Sequence, residues 1–168
     1  PIVSKQWFVK MEPLAKPAVE VVKDGTLKFV PERFSKIYLS WMENVRDWCI
    51  SRNRFWGTPI PIWTDDEFSE IVAIGSVKEL EELTGVKVDD LHRENIDDLV
   101  VEKNGKKLHR ITEVFDCWFE SGSVPFAQKH YPFENKEWFE NHFPSDFIVE
   151  YTGQIRCWFY YLHVLSVA

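Results

Sequence analysis

The sequence predicts an α/β fold on three observations: short strand-like runs alternate with helical segments, Gly, Pro and Ser punctuate them, and 45% of the 168 residues are hydrophobic. A globular chain of this length buries roughly 70% of the surface its unfolded form exposes, so it can hold a real core.

Taken in order, Gln6-Trp7-Phe8-Val9-Lys10-Met11 alternates in part and predicts a strand. Pro13 to Val22 predicts a helix, with Leu14, Ala18, Val21 and Val22 at helical spacing and Asp24-Gly25 ending it. Leu27 to Val30 predicts a short strand. Pro31-Glu32 opens a second helix whose Phe34, Ile37, Tyr38, Trp41, Met42 and Val45 share a face. From Arg46 to Trp63 no single period holds, and Pro59 and Pro61 suggest an irregular or edge strand. That stretch crowds three Arg among Trp and Phe, and irregular segments of this kind often carry function.

From Asp65 to about Lys106 the chain turns acidic. Ser76 to Gly85 predicts a capped helix, with Ser76 at the cap, Glu79 three residues on and Gly85 past the end. Asp89 to Asp98 predicts a short helix and Lys106 to Ile111 a strand, the whole section reading as a peripheral insertion with a solvated acidic face. Glu113 to Ser123 predicts a strand running into a Ser/Gly turn, and Glu134 to His142 a short helix. Asp146 to Tyr151 predicts a strand, Thr152-Gly153 a turn, and Gln154 onward a helix.

Composition narrows the function. With 27 acidic against 20 basic side chains the net charge is −7, which argues against a whole-surface nucleic-acid binder but not against a local basic groove. No apolar run approaches the ~20 residues of a membrane span, and no secretory signal is present. Three well-separated cysteines, Cys49, Cys117 and Cys157, suggest reduced thiols in a cytosolic chain rather than disulfides or zinc. Aromatic residues at 15%, with eight Trp, read either as a rich core or as rings lining a pocket. A start at Pro1 without Met, and an end inside the apolar run Trp158 to Leu165, suggest a piece of a longer protein.

Chemistry concentrates in two places. A strand ending in Glu150, a Thr-Gly turn, and a helix beginning with Gln154, Arg156 and Trp158 would set polar groups at the carboxyl edge of a sheet, where ligands bind in open α/β sheets. The alternative is a routine strand-to-helix joint with Glu150 in water. Asp116 and Glu120 read either as paired carboxylates or as residues straddling a turn. No metal-ligand spacing, dinucleotide fingerprint, phosphate loop or nucleophile elbow occurs.

Three ordered motifs carry a resemblance. Asp47 to Trp63 resembles the segment of class I aminoacyl-tRNA synthetases that follows their inserted editing domain. Phe115 to Ser123 resembles the family's D-x-W-F-[DE]-S-G-S motif, and Glu150 to Phe159 its isoleucyl E-G-x-D-Q-x-R-G-W-F element. Residues Gln6 to Ser51 read closer to valyl members, and those from Arg52 onward closer to isoleucyl ones. The last motif departs at Tyr151, Gly153 and Cys157, where the family has Gly, Asp and Gly.

The resemblance implies the second half of a Rossmann-like catalytic domain with a peripheral acidic insertion. Residues 1–63 would form the junction from the editing insertion, 64–111 the insertion, and 112–168 the catalytic half-domain. It implies isoleucine, ATP and tRNA as partners of a full-length cytoplasmic enzyme, with ATP and Mg2+ as its cofactors and no cofactor expected bound by these 168 residues alone. Glu150 and Gln154 would hold the aminoacyl-adenylate and Trp118 and Trp158 would wall the amino-acid pocket. Arg52, Arg54 and Trp56 are candidate tRNA contacts, with a buried Arg–carboxylate network as the alternative for that cluster. No residue is assigned a catalytic or metal-binding role. The family's His-Ile-Gly-His and Lys-Met-Ser-Lys-Ser signatures are absent, so this chain alone is expected not to activate an amino acid. A synthetase-derived RNA-binding module, gripping by charge and stacking, is a competing expectation.

Overall fold

A computed structural model describes residues 4–168, so the first three residues of the expected segment 1–63 lie outside the described residues. The elements run β1 (Phe8–Val9), α1 (Glu12–Lys23), α2 (Arg33–Glu43), β2 (Trp48–Cys49), β3 (Ser51–Arg52), β4 (Ile62–Thr64), β5 (Ile71–Ala73), α3 (Val77–Thr84) and α4 (Arg93–Ile96). They continue through β6 (Val100–Lys103), β7 (Lys106–Arg110), β8 (Val114–Phe115), α5 (Cys117–Ala127), α6 (Lys136–His142), a 3-10 helix (Thr152–Arg156) and α7 (Trp158–Val167). The chain divides into two compact units, one of Ser51–Asp116 with the N-terminal residues through Gln6, the other of Trp7–Ile50 with Cys117–Ala168.

The first unit is built on a four-stranded sheet in the order β5-β4-β7-β6, every pairing antiparallel. Trp63 stands opposite both Val72 and Arg110, and Val101 opposite Leu108. One face buries Trp63, Ile74, Leu80, Val88, Ile96, Val101 and Leu108, with α3 and α4 contributing Leu80 and Ile96. The Trp63 indole donates to the Leu99 carbonyl at 2.8 Å, so its polar edge is satisfied inside the core. At the start of α3, Ser76 Oγ accepts from the Glu79 amide at 3.1 Å and the Glu79 carboxylate accepts from the Gly75 amide at 2.8 Å. Gly85 closes the helix at φ +71°, in the left-handed region the cap requires.

This unit contains the section expected as an acidic insertion. Residues 64–111 carry thirteen acidic and seven basic side chains, yet they surround an apolar core of their own. Nor are the charges all solvated. Arg110 is buried and desolvation lowers its pKa, while Asp97 counters it: Nε donates to Asp97 Oδ1 at 2.6 Å, and Nη2 lies 2.5 Å from the same oxygen in ion-pair rather than hydrogen-bond geometry. Beside the main sheet, β3 and β8 pair antiparallel, Ser51 opposite Phe115 and Arg52 opposite Val114. Gly57 is required there, since a Cβ would stand 2.8 Å from Val114 Cγ2 and φ is +152°.

The second unit is mainly helical, with the two-stranded antiparallel ribbon β1–β2 pairing Phe8 with Cys49 and Val9 with Trp48. Asp47 Oδ1 accepts from the Met11 amide at 3.0 Å, tying the entry of α1 to this ribbon. The amphipathic readings hold in part: α1 buries Ala18 and Val22 and α2 buries Tyr38 and Met42, but Ile37 and Trp41 of the expected α2 face are exposed. The second helix begins at Arg33 rather than at Pro31, whose carbonyl instead accepts from the Phe34 amide at 3.1 Å. Helix α7 buries Tyr160, Leu162, His163 and Val164. Where it meets α2, the Tyr38 hydroxyl and His163 Nδ1 are 2.5 Å apart.

Three expectations fail, for two reasons. Leu27 to Val30 and Asp146 to Tyr151 form no strand, because neither finds a partner edge among the described residues and an unpaired strand leaves its backbone groups unmet. The sheet edge expected before Gln154 is therefore not formed among them. The Ser121-Gly122-Ser123 turn is instead the middle of α5, where packing overrides the turn propensity. Gly122 is buried against α7, and a Cβ there would lie 3.0 Å from the Tyr161 carbonyl carbon and 2.9 Å from Leu165 Cδ1.

Candidate functional site

Four candidate residues fall in the helical unit. Trp118 sits in the first turn of α5 and stacks on Tyr161 of α7, centroids 5.2 Å apart with planes inclined by 14°. Tyr161 also meets the buried Trp48 at 4.7 Å, and Trp48 meets Phe119 at 5.8 Å. Trp158 opens α7, and its indole N–H donates to the Ser121 carbonyl of α5 at 3.0 Å. Gln154, on the 3-10 helix, places its side-chain oxygen 3.1 Å from the Trp158 backbone amide, accepting one of the orphan donors at the start of α7.

The structure thus brings Trp118, Trp158 and Gln154 to the α5–α7 crossing. Both indoles are half-buried. Glu150 differs. It is exposed at the end of the irregular segment, and its carboxylate accepts from the amide of its own neighbour, Tyr151, at 3.3 Å. Two of the motif's departures answer each other: the Tyr151 ring lies across Gly153, where a Cβ would stand 2.5 Å from Tyr151 Cε1. A side chain at 153 and this setting of the Tyr151 ring exclude one another.

The arginine-rich cluster lies in the sheet-built unit and splits by environment. Arg52 reaches the buried carboxylate of Asp116 with Nη2 2.9 Å from Oδ1, and Nη1 donates to the Ser51 carbonyl at 2.8 Å. Only the carboxylate of this pair is buried, the Arg52 side chain staying 37% exposed, so the pair matches the buried Arg–carboxylate alternative for this cluster only in part. It also gives Asp116 a structural partner, while Glu120 lies in the first turn of α5. Arg54, Phe55 and Trp56 are exposed. Trp56 stacks on His92 at 5.1 Å, Arg93 lies 5.2 Å over Phe55, and Arg93 Nη1 donates to the Arg54 carbonyl at 2.9 Å, so α4 braces the loop from beneath.

Sequence reasoning missed Trp48, Tyr161 and Pro125 as parts of this arrangement. The signal was present in the helical spacing of Trp118, Gly122 and Phe126, and of Trp158 and Tyr161, once α5 is read as a helix. Among the described residues no group of three His, Cys, Asp or Glu side chains is placed to hold a metal ion, and no helix is long and apolar enough to cross a membrane.

The chain belongs to the family described as tRNA synthetases class I (I, L, M and V), whose family model matches residues 1–168. Among its relatives it is 53% identical over 166 residues to the cytoplasmic isoleucine–tRNA ligase of Mus musculus, covering 96% of this chain and 13% of that protein. It is 52% identical to the isoleucine–tRNA ligase of Rickettsia africae over 170 residues, 96% of this chain and 15% of that protein. The cytoplasmic isoleucine–tRNA ligase of Schizosaccharomyces pombe is 52% identical over 164 residues, 95% of this chain and 15% of that protein. The chain thus spans about one seventh of the length of the curated relatives it matches. Those alignments cover nearly all of it, so they run through the valyl-like first third as well.

Proposed function

We propose that this chain is a segment of an isoleucine–tRNA ligase, an enzyme that activates isoleucine with ATP to isoleucyl-adenylate and transfers it to tRNA. The observation that carries the reading is identity of 52–53% to isoleucine–tRNA ligases across 95–96% of the chain. On this reading residues 112–168 belong to the second half of the Rossmann-like catalytic domain, 64–111 are an insertion with its own core, and 1–63 lead in from the editing insertion. The Phe147–Tyr151 run supports it: it is apolar with strand composition, and Phe147, Val149 and Tyr151 are each more than 70% exposed, as a sheet strand is when its neighbours belong to other parts of the protein.

In this reading Glu150 and Gln154 hold the aminoacyl-adenylate, and Trp118 and Trp158 wall the slot for the branched side chain. Such a slot excludes larger residues but separates isoleucine from valine by only ~1–3 kcal/mol, a range for which this enzyme is itself a reference case. Activation itself is positioning and charge stabilisation of an in-line displacement. Mg2+ would travel on the phosphates of ATP. The described residues offer it no carboxylate cluster. A cytoplasmic setting follows the names of the mouse and fission-yeast relatives.

The test is isoleucine-dependent ATP–pyrophosphate exchange, run on these 168 residues and on the full-length protein that carries them, with valine in parallel. The expected result is no turnover by the segment and a preference for isoleucine in the whole. Preference for valine would overturn the specificity and favour a valyl enzyme. Turnover by the segment alone would overturn its partial role.

A second reading, an RNA-binding module, is favoured by one observation, the exposure of Arg54 beside Phe55 and Trp56. Salt-dependent tRNA binding by the segment, weakened in Arg54→Ala, would support it.

A further inference from the structure

We propose that Pro125 is a positioning residue for Trp158, an inference that rests on reading Trp158 as a wall of the isoleucine pocket. In an α-helix the carbonyl of residue 121 accepts from the amide of residue 125. Residue 125 is proline, inside α5, and has no amide hydrogen. The Ser121 carbonyl is therefore open on the face turned to α7, and the Trp158 indole N–H donates to it at 3.0 Å. An indole has a single donor, so that one bond sets the direction of the ring.

The remaining constraints converge on the same ring. Gln154 accepts from the Trp158 backbone amide at 3.1 Å, which anchors the residue at its other end. Gly122, next to Ser121, has no Cβ, and one would stand 3.0 Å from the Tyr161 carbonyl oxygen, so α7 comes close enough for the indole to reach α5. Trp118, one turn before Ser121, is fixed in turn by stacking on Tyr161. A proline that weakens its own helix thereby supplies the acceptor that aims a ring on the next one. With an amide at 125, the carbonyl would be satisfied inside α5 and the indole would have to share it.

The experiment has two arms. In the first, the eight indole N–H signals of this chain are followed by 15N NMR, with Trp158 assigned by its loss in Trp158→Phe. Pro125→Ala, and Pro125→Ser as a second variant restoring the amide, should shift the Trp158 signal and speed its hydrogen exchange about tenfold while the other indoles stay in place. An unchanged Trp158 signal in both variants overturns the inference. In the second arm, Pro125→Ala in the full-length protein should raise KM for isoleucine by up to about tenfold, with KM for ATP unchanged. An altered indole with an unaltered isoleucine KM would leave Pro125 as the residue that aims Trp158 and would instead sink the pocket-wall reading.

Discussion

Acidification tests the join between α2 and α7. Tyr38 is fully buried and His163 is 9% exposed, with the hydroxyl 2.5 Å from Nδ1. Burial pushes the Tyr38 pKa up, with a smaller contribution from Tyr160, and pushes His163 down from 6.5 to about 4. Both groups are therefore neutral near pH 7, and the hydroxyl donates to an unprotonated Nδ1. Unfolding returns His163 to its ordinary affinity for protons, so the unfolded chain takes up a proton that the fold refuses. The stability His163 permits is complete above pH 6.5, declines as the pH falls from there towards 4, and levels off below. Each tenfold in proton affinity is worth ~1.4 kcal/mol, so the whole decline amounts to about 3 kcal/mol. Urea denaturation across this range, followed by tryptophan fluorescence, measures it. Carboxylates also titrate in the window, so the quantity to read is the difference between this chain and His163→Gln, which should be flatter by that amount. Identical pH slopes for the two would refute the burial argument.

Three further outcomes follow from single contacts. Arg52→Ala should cost about 2–3 kcal/mol, because it strips the guanidinium from a buried Asp116, whereas exposed Arg54→Ala should change stability by less than about 0.5 kcal/mol; equal costs in denaturant titrations would contradict the split seen in this cluster. Ser76→Ala removes the oxygen that caps the Glu79 amide and should cost about 1 kcal/mol, read as a lower urea midpoint, with Ser76→Thr recovering most of it. Gly122→Ala pushes a methyl against the backbone of Tyr161 and should cost about 1–3 kcal/mol with a shift in tryptophan emission; a neutral substitution would mean α5 and α7 do not cross at this closeness.

Local patterns were readable where local energies decide. The Ser76–Gly85 helix could be read almost to the residue because cap, reciprocal carboxylate and terminal glycine all lie within ten positions and act through the nearest backbone amides. The buried faces of α1 and α2 were legible for the same reason: an apolar stripe at helical spacing has one economical way to leave water. The site was legible only in part. Trp118, Gln154 and Trp158 stood out by type and spacing, but the residues that arrange them, Pro125, Gly122 and Tyr161, carry no chemistry that a linear reading would select.

The amino-acid order by itself determined the helices with strong caps or stripes, the acidic character of residues 64–111, and the motifs that mark the family. Tertiary structure alone decided that Ser121-Gly122-Ser123 is helical, that the acidic section closes over an apolar core, that Arg52 is held by Asp116 while Arg54 faces water, and that Phe147–Tyr151 meets no partner strand among the described residues. The physical reason is the range of the forces. Capping and periodicity act within one or two turns and are written in neighbouring residues. Strand pairing, burial of a charge and the close approach of two helices depend on which distant surface arrives, and no neighbouring residue encodes that.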